Sequence, residues 1–167
     1  SGKTSVATEL QRLGHHVVNG DRELAYKGDP QTGLPLEGAF DDALVGDVSF
    51  PHRHHLWCIK KVRAFMADQS HPATFFCGGA RNFPAFIGLF DKVFILELDK
   101  ATLENRLLLR PENEFGGKPQ ERAFILGLYD SGKGVPPHGI VIDATQPVAT
   151  VVTELLSHIN GQEFRPL

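Results

Sequence analysis

The chain opens on Ser1-Gly2-Lys3-Thr4 and passes directly into residues 4–13, where Val6, Ala7, Leu10 and Leu13 recur at helical spacing before Gly14 stops the pattern. Those four residues match the closing half of G-x-x-x-x-G-K-[ST], a loop that cradles phosphates. Each residue type has a chemical reason. Gly2 lets the backbone approach phosphate oxygens. The unpaired N–H groups and positive end of the helix, from Thr4 and Ser5 onward, hold the anion. Lys3 neutralises charge on the β- and γ-phosphates, and the Thr4 hydroxyl ligates Mg²⁺. The bland alternative is an exposed helix start with Ser1 as its cap.

Further candidates follow apolar runs. Asp21 comes after His16-Val17-Val18-Asn19, where a carboxylate either does chemistry or caps a helix. Gly78 and Gly79 end Ala73-Thr74-Phe75-Phe76-Cys77, and Arg81 after them would bind an anionic acceptor or a moving phosphoryl group. Arg106, Arg110 and Arg122 flank residues 111–119, whose Gly116-Gly117 suits a hinged lid. Arg106 equally suits a helix-surface salt bridge. His52, His54, His55 and Cys58 carry metal-ligand types, and on one helix His54 and Cys58 would share a face. A structural zinc site wants a second ligand pair, so a wall of the acceptor pocket with Trp57 is the preferred reading. Asp99 is expected to cap the helix after it, and Asp143 to organise a turn.

The elements positioning these residues alternate. Strands are predicted at 16–19, 73–77, 92–98 and 139–142, and helices at 4–13, 51–69, 83–90, 101–109, 120–129 and 147–159. Residues 29–47, rich in Pro, Gly and Asp, read as loop. Strands apolar on both faces and separated by helices imply a parallel sheet covered on both sides. Such sheets bind ligands beyond the carboxyl ends of their strands, where Asp21, Gly78-Gly79, Asp99 and Asp143 fall. The expected fold is therefore an α/β three-layer sandwich with a mainly parallel five-stranded sheet. Its first strand, with the first half of the phosphate loop, is expected upstream of Ser1, in roughly ten residues.

At 167 residues the chain is expected to form a single domain. A net charge of −3, with no basic run beyond Lys60-Lys61, gives no nucleic-acid footprint. No apolar stretch reaches membrane-spanning length, and Ser1 to Thr4 are too polar for a signal peptide. Cys58 and Cys77 read as reduced thiols, which favours the cytoplasm.

In motif order, nearly the whole chain resembles the small P-loop kinases: the shikimate, gluconate and adenylate kinase group, and short bacterial nucleoside or shikimate kinase-like proteins. Gly2-Lys3-Thr4 matches Walker A, and Asn19-Gly20-Asp21 sits where shikimate-type kinases carry Asp-x-Asp, with Asn19 replacing the first aspartate. Gly78-Gly79-Ala80-Arg81 matches the glycine-rich acceptor loop, although a third glycine is missing. Residues 103–110 resemble the helix leading into the lid, with Arg106 and Arg110 at its base. Asp143, Thr145 and Pro147 lie in a segment similar to the one that cradles adenine. The resemblance implies ATP–Mg²⁺ as phosphoryl donor and a small hydroxylated or nucleoside-like acceptor. It implies Lys3, Asp21 and Arg110 as catalytic groups, Asp21 meeting the acceptor hydroxyl or the Mg²⁺ water shell. It places the acceptor segment at about 22–70 and the lid at about 110–122. Two alternatives stay open: a nucleoside-monophosphate kinase, and a non-catalytic nucleotide-binding regulatory module.

Overall fold

The computed structural model describes residues 1–38 and 46–160; part of the 29–47 loop and residues 161–167 lie outside the described residues. Helix α1 (Lys3–Arg12) leads to strand β1 (His16–Asn19), a single helical turn α2 (Gly20–Glu23) and strand β2 (Ala25–Lys27). Next come α3 (Phe50–Arg53), β3 (His55–Trp57), α4 (Ile59–Ala67) and β4 (Thr74–Cys77). The second half holds β5 (Phe94–Glu97), α5 (Lys100–Leu108), α6 (Pro119–Ser131), β6 (Ile140–Asp143) and α7 (Val148–Asn160).

The architecture is α/β with small parallel pairs. β1 pairs with β4, His16 opposite Thr74 and Asn19 opposite Cys77. β5 pairs with β6, Phe94 opposite Ile140 and Glu97 opposite Asp143. The predicted strands thus form, 16–19 with the bounds expected and the other three with ends displaced by at most two residues. Their side chains alternate as strand geometry demands. Val17 and Phe75 enter a core with Val6, Ala7 and Leu10 of α1 and Val151, Val152 and Leu155 of α7. On the opposite face, Val18 and Phe76 enter a second core with Leu24, Trp57, Val62 and Phe86. The β1–β4 pair is therefore covered on both sides. Phe94, Leu96 and Ile142 of the other pair pack into the first core, so one apolar layer serves both pairs. Each such buried side chain stabilises the fold by about 1.5–3 kcal/mol. No hydrogen-bonded ladder joins the pairs among the described residues, so the expected five-stranded sheet is not seen as one sheet.

Two helices expected from sequence are corrected. Residues 51–69 do not form one helix: α3 ends at Arg53, β3 intervenes, and α4 starts at Ile59. Leu56 and Trp57, fully or almost fully buried, satisfy their burial better as a strand antiparallel to β2, with Tyr26 opposite Leu56. Helical periodicity was misleading because the apolar run spans two elements. Residues 83–90 form two 3₁₀ turns, Phe83–Ala85 and Ile87–Leu89, rather than a helix. Gly88, within the expected helix, adds a backbone-entropy cost that weakens a longer helix.

β3 is tied to the turn after β4. The Arg81 N–H donates to the His55 carbonyl at 2.9 Å. The Asn82 side chain stands in for a strand backbone: its Oδ1 accepts from Trp57 N–H at 3.0 Å and its Nδ2 donates to the Trp57 carbonyl at 2.9 Å. The indole then fills space against two glycines. A Cβ on Gly20 would lie 1.9 Å from the Trp57 ring, and one on Gly78 2.7 Å from it.

Gly20→Ala is therefore expected to destabilise the fold by about 1–3 kcal/mol through overpacking. Gly127→Ala, in α6 with nothing within 4 Å of the new methyl, is expected to stabilise it by about 0.5–1 kcal/mol. Urea unfolding of both variants checks the opposite signs; equal shifts would refute the indole contact.

Candidate functional site

The parallel register puts the carboxyl ends of β1 and β4 side by side, and the start of α1 faces them. Gly2 caps α1 with φ 90°, a left-handed conformation that favours glycine, and no side chain occupies the cap. Ser1 is thus not the cap. Its hydroxyl instead accepts from Lys3 Nζ at 2.9 Å.

Lys3, Thr4, Asn19, Asp21, Arg22, Cys77 and Gly78 line a cavity of about 40 Å³. That volume suits an ion or a water or two, not a nucleotide base. Lys3 keeps contact with solvent, yet its surroundings depress its pKa. Desolvation is the main cause; Asp21 opposes it, and the charges of Arg81 and Arg110 add to it. A lysine in this setting is neutralised best by an incoming anion.

Asp21 lies in α2. Its Oδ1 accepts from His55 Nε2 at 2.9 Å and from the Gly79 N–H at 3.4 Å. Burial would raise its pKa, but the hydrogen bond and charge of His55, the Gly79 amide and Lys3 together outweigh burial. Asp21 is therefore held below its ordinary range and is a carboxylate at neutral pH. The cap alternative fails on geometry: Asn19 is the N-cap residue of α2, and the Asp21 carboxylate turns to the cavity.

Arg81 does not reach Asp21. Its guanidinium lies against Gly134, where an added Cβ would come within 2.2 Å of Nη1, and desolvation lowers its pKa. His52 is drawn down to about 4, first by desolvation and then by the charges of Arg81 and His55. Its ring meets Phe124 edge-on at 5.4 Å, which brings α3 against α6.

Arg106 donates to the Ala144 carbonyl at 2.7 Å, and its Nη1 is the nearest group to the Cβ position of Gly2, at 3.4 Å. The turn after β6 and the start of α1 are thus joined through α5, and the salt-bridge reading of Arg106 is replaced by a carbonyl contact. Asp143 spends its carboxylate locally, accepting from Thr145 N–H at 2.9 Å, Thr145 Oγ1 at 2.6 Å and Gln146 Nε2 at 3.2 Å. Pro147 follows this turn, and its carbonyl accepts the first amides of α7. Asp99 caps α5 through the Thr102 N–H at 2.7 Å.

Residues 111–119 fold back on themselves. Arg110 Nη1 donates to the Phe115 carbonyl at 2.6 Å, Arg122 to the Gly117 carbonyl, and the Gly116 N–H to Glu121 at 2.8 Å. Gly117 is there for space, since a Cβ would sit 1.9 Å from the Pro111 carbonyl oxygen. Both Arg110 and Arg122 thus have backbone partners within the loop.

The histidine cluster is divided. His54 caps α3 and bonds the Gly28 carbonyl at 3.0 Å, whereas His55 belongs to β3 and faces Asp21. Among the described residues no group of three or more His, Cys, Asp or Glu is placed to hold a metal. Sequence reasoning placed His55 only in a pocket wall and missed its bond to Asp21, and it missed Asn82 altogether. No local spacing signals either contact, because the partners are 34 and 25 positions away. No described helix is long and apolar enough to cross a membrane.

Cys58 and Cys77 are free. Burial pushes the Cys77 thiol up to about 11, with Lys3 pulling it down and Asp21 adding to the rise. In a Cys58→Ser background, iodoacetamide is expected to alkylate Cys77 roughly a hundredfold more slowly near neutral pH than an ordinary cysteine. Lys3→Ala should slow it further, because a charge that favours the thiolate is lost. Alkylation of Cys77 at the ordinary rate would refute this environment.

No family model, curated protein or solved structure matches this chain, so the case for a function rests on the geometry of the site itself.

Proposed function

We propose that this chain is an ATP-dependent phosphotransferase that moves the γ-phosphate to a small hydroxylated or nucleoside-like acceptor. One observation carries the reading: Lys3 at the start of α1, Asp21 after β1 and the Gly78 turn after β4 converge on one small cavity. Arg81 and Arg110 are close enough to depress Lys3. A site with these cations around one carboxylate suits a polyanion next to a hydroxyl that must lose its proton.

In this reading the acceptor hydroxyl gives its proton to Asp21 as its oxygen bonds to the γ-phosphorus. The bond from that phosphorus to the bridging oxygen breaks, and ADP leaves. Lys3 and Arg110 stabilise charge on the transferring group, and Arg81 orients the acceptor. Arg106, between Gly2 and Ala144, lines the place where the base would lie. The Thr4 hydroxyl lines the cavity and has no hydrogen-bond partner among the described residues. Such a hard-oxygen donor fits Mg²⁺, whose role when bound is to neutralise phosphate charge. The finer fold in this proposal is a five-stranded parallel sheet, in which a further strand joins the β1–β4 and β5–β6 pairs. The shared apolar core beneath both pairs supports it.

The test is ADP release from ATP–Mg²⁺ with sugars, shikimate, nucleosides and nucleoside monophosphates, the last arm addressing a monophosphate kinase. Lys3→Ala is expected to weaken ATP binding by about 1.5–3 kcal/mol, read by calorimetry. Arg110→Ala is expected to lower kcat more than ATP affinity. Unchanged ATP affinity in Lys3→Ala would end the proposal, and ATP binding without ADP release would favour a regulatory module.

A further inference from the structure

Among the described residues, His55 is the histidine whose ring bonds a carboxylate. It is held from several sides. β3 pairs it with Lys27 of β2, its carbonyl accepts the Arg81 N–H at 2.9 Å, and the Asn82 clamp grips Trp57 two residues on. The ring therefore arrives at Asp21 from a fixed backbone. Its Nε2 and the Gly79 N–H both go to Oδ1, and Oδ2 accepts from no described residue. The pair stands at the cleft mouth, with side chains 34% and 54% exposed.

We propose that His55 is the positioning residue of Asp21: it anchors Oδ1 and leaves Oδ2 as the atom that receives the acceptor proton. This rests on the phosphotransfer reading. Lys3 shows why an anchor is needed. An ammonium beside an aspartate draws the carboxylate into a direct ion pair, which would occupy the oxygen the acceptor needs. Here Lys3 Nζ bonds Ser1 Oγ, and the Asp21 carboxylate is turned to His55. In the transfer step the acceptor proton moves to Oδ2, the acceptor oxygen bonds to the γ-phosphorus, and ADP departs. Asp21 returns the proton to solvent through the exposed mouth. His55 neither gains nor loses a proton in that sequence; it donates Nε2–H throughout.

The charged or titratable groups facing the pair are Lys3 of α1 and Cys77 of β4 on the Asp21 side, and His52 of α3 on the His55 side, with Arg81 acting on His52. The test compares the full wild-type chain with His55→Phe, which removes the donor, and His55→Gln, whose amide can replace Nε2–H. Three quantities are read: kcat for ADP release with the best acceptor of the panel or water, ATP affinity by calorimetry, and the Asp21 titration from its carboxyl ¹³C shift. His55→Phe is expected to lose about 10- to 100-fold in kcat at unchanged ATP affinity. His55→Gln should recover most of that rate. The Asp21 titration should move to higher pH in His55→Phe, because a hydrogen bond and a charge that hold it down are gone. Wild-type kcat in His55→Phe overturns the proposal. So does an unmoved Asp21 titration, whether or not ATP is turned over. A moved titration with no ADP release from the wild type, with any acceptor or water, means that the phosphotransfer reading fails and takes the positioning role with it. Should His55→Phe not fold, His55→Asn, with its donor drawn back from Asp21, replaces it.

Discussion

The Trp57 indole occupies the space that side chains would take at Gly20 and Gly78, and most of the site geometry depends on that contact. Gly20 precedes Asp21, and Gly78 follows β4, so one ring sets the distance between the ends of β1 and β4. The same ring stacks on Phe86 with centroids 5.6 Å apart and packs in the second core. Its cost is visible too: Nε1 is buried with no partner among the described residues, a penalty of about 1–3 kcal/mol. The Asn82 clamp offsets part of this by satisfying both backbone groups of Trp57. Pairing with β2, the Arg81 and Asn82 bonds and the packing of the indole together fix β3 against the cleft.

Charge is the second constraint. Arg81 and Arg110 both act on Lys3, with Asp21 as the carboxylate that opposes them. Like charges at such range cost free energy unless an anion enters or backbone oxygens intervene. The arginines have found partial solutions: Arg110 bonds the Phe115 carbonyl and Arg106 the Ala144 carbonyl. These bonds satisfy guanidinium donors with backbone oxygens, which accept as phosphate oxygens do.

Much of the frame was legible from residue order. The β1, β4, β5 and β6 segments carry continuous apolar runs, and such runs have few alternatives once helices flank them. Asp99 as a cap and Asp143 as a turn residue follow from local hydrogen-bonding geometry, which sequence encodes directly. β2 and β3 were hidden. Each is three residues long, and they pair across 27 intervening positions at the inner register, Lys27 with His55, and 31 at the outer, Ala25 with Trp57, through residues partly outside the described set. Short strands have little periodicity to read, and the apolar run from Leu56 onward mimics a helix face.

The sequence by itself determined the alternating α/β order, the glycine-lysine-threonine start of α1, and which strand ends carry Asp21 and Gly78-Gly79. These are local properties, written in spacing and side-chain type. Only the tertiary structure decided that Asp21 meets His55, that Asn82 replaces a strand partner for Trp57, that Arg81 turns toward Gly134, and that the parallel pairs share a core without sharing a ladder. Those outcomes depend on which distant groups burial brings together. Hydrophobic packing is non-directional, so no local pattern names the partner that a side chain meets once the core has closed.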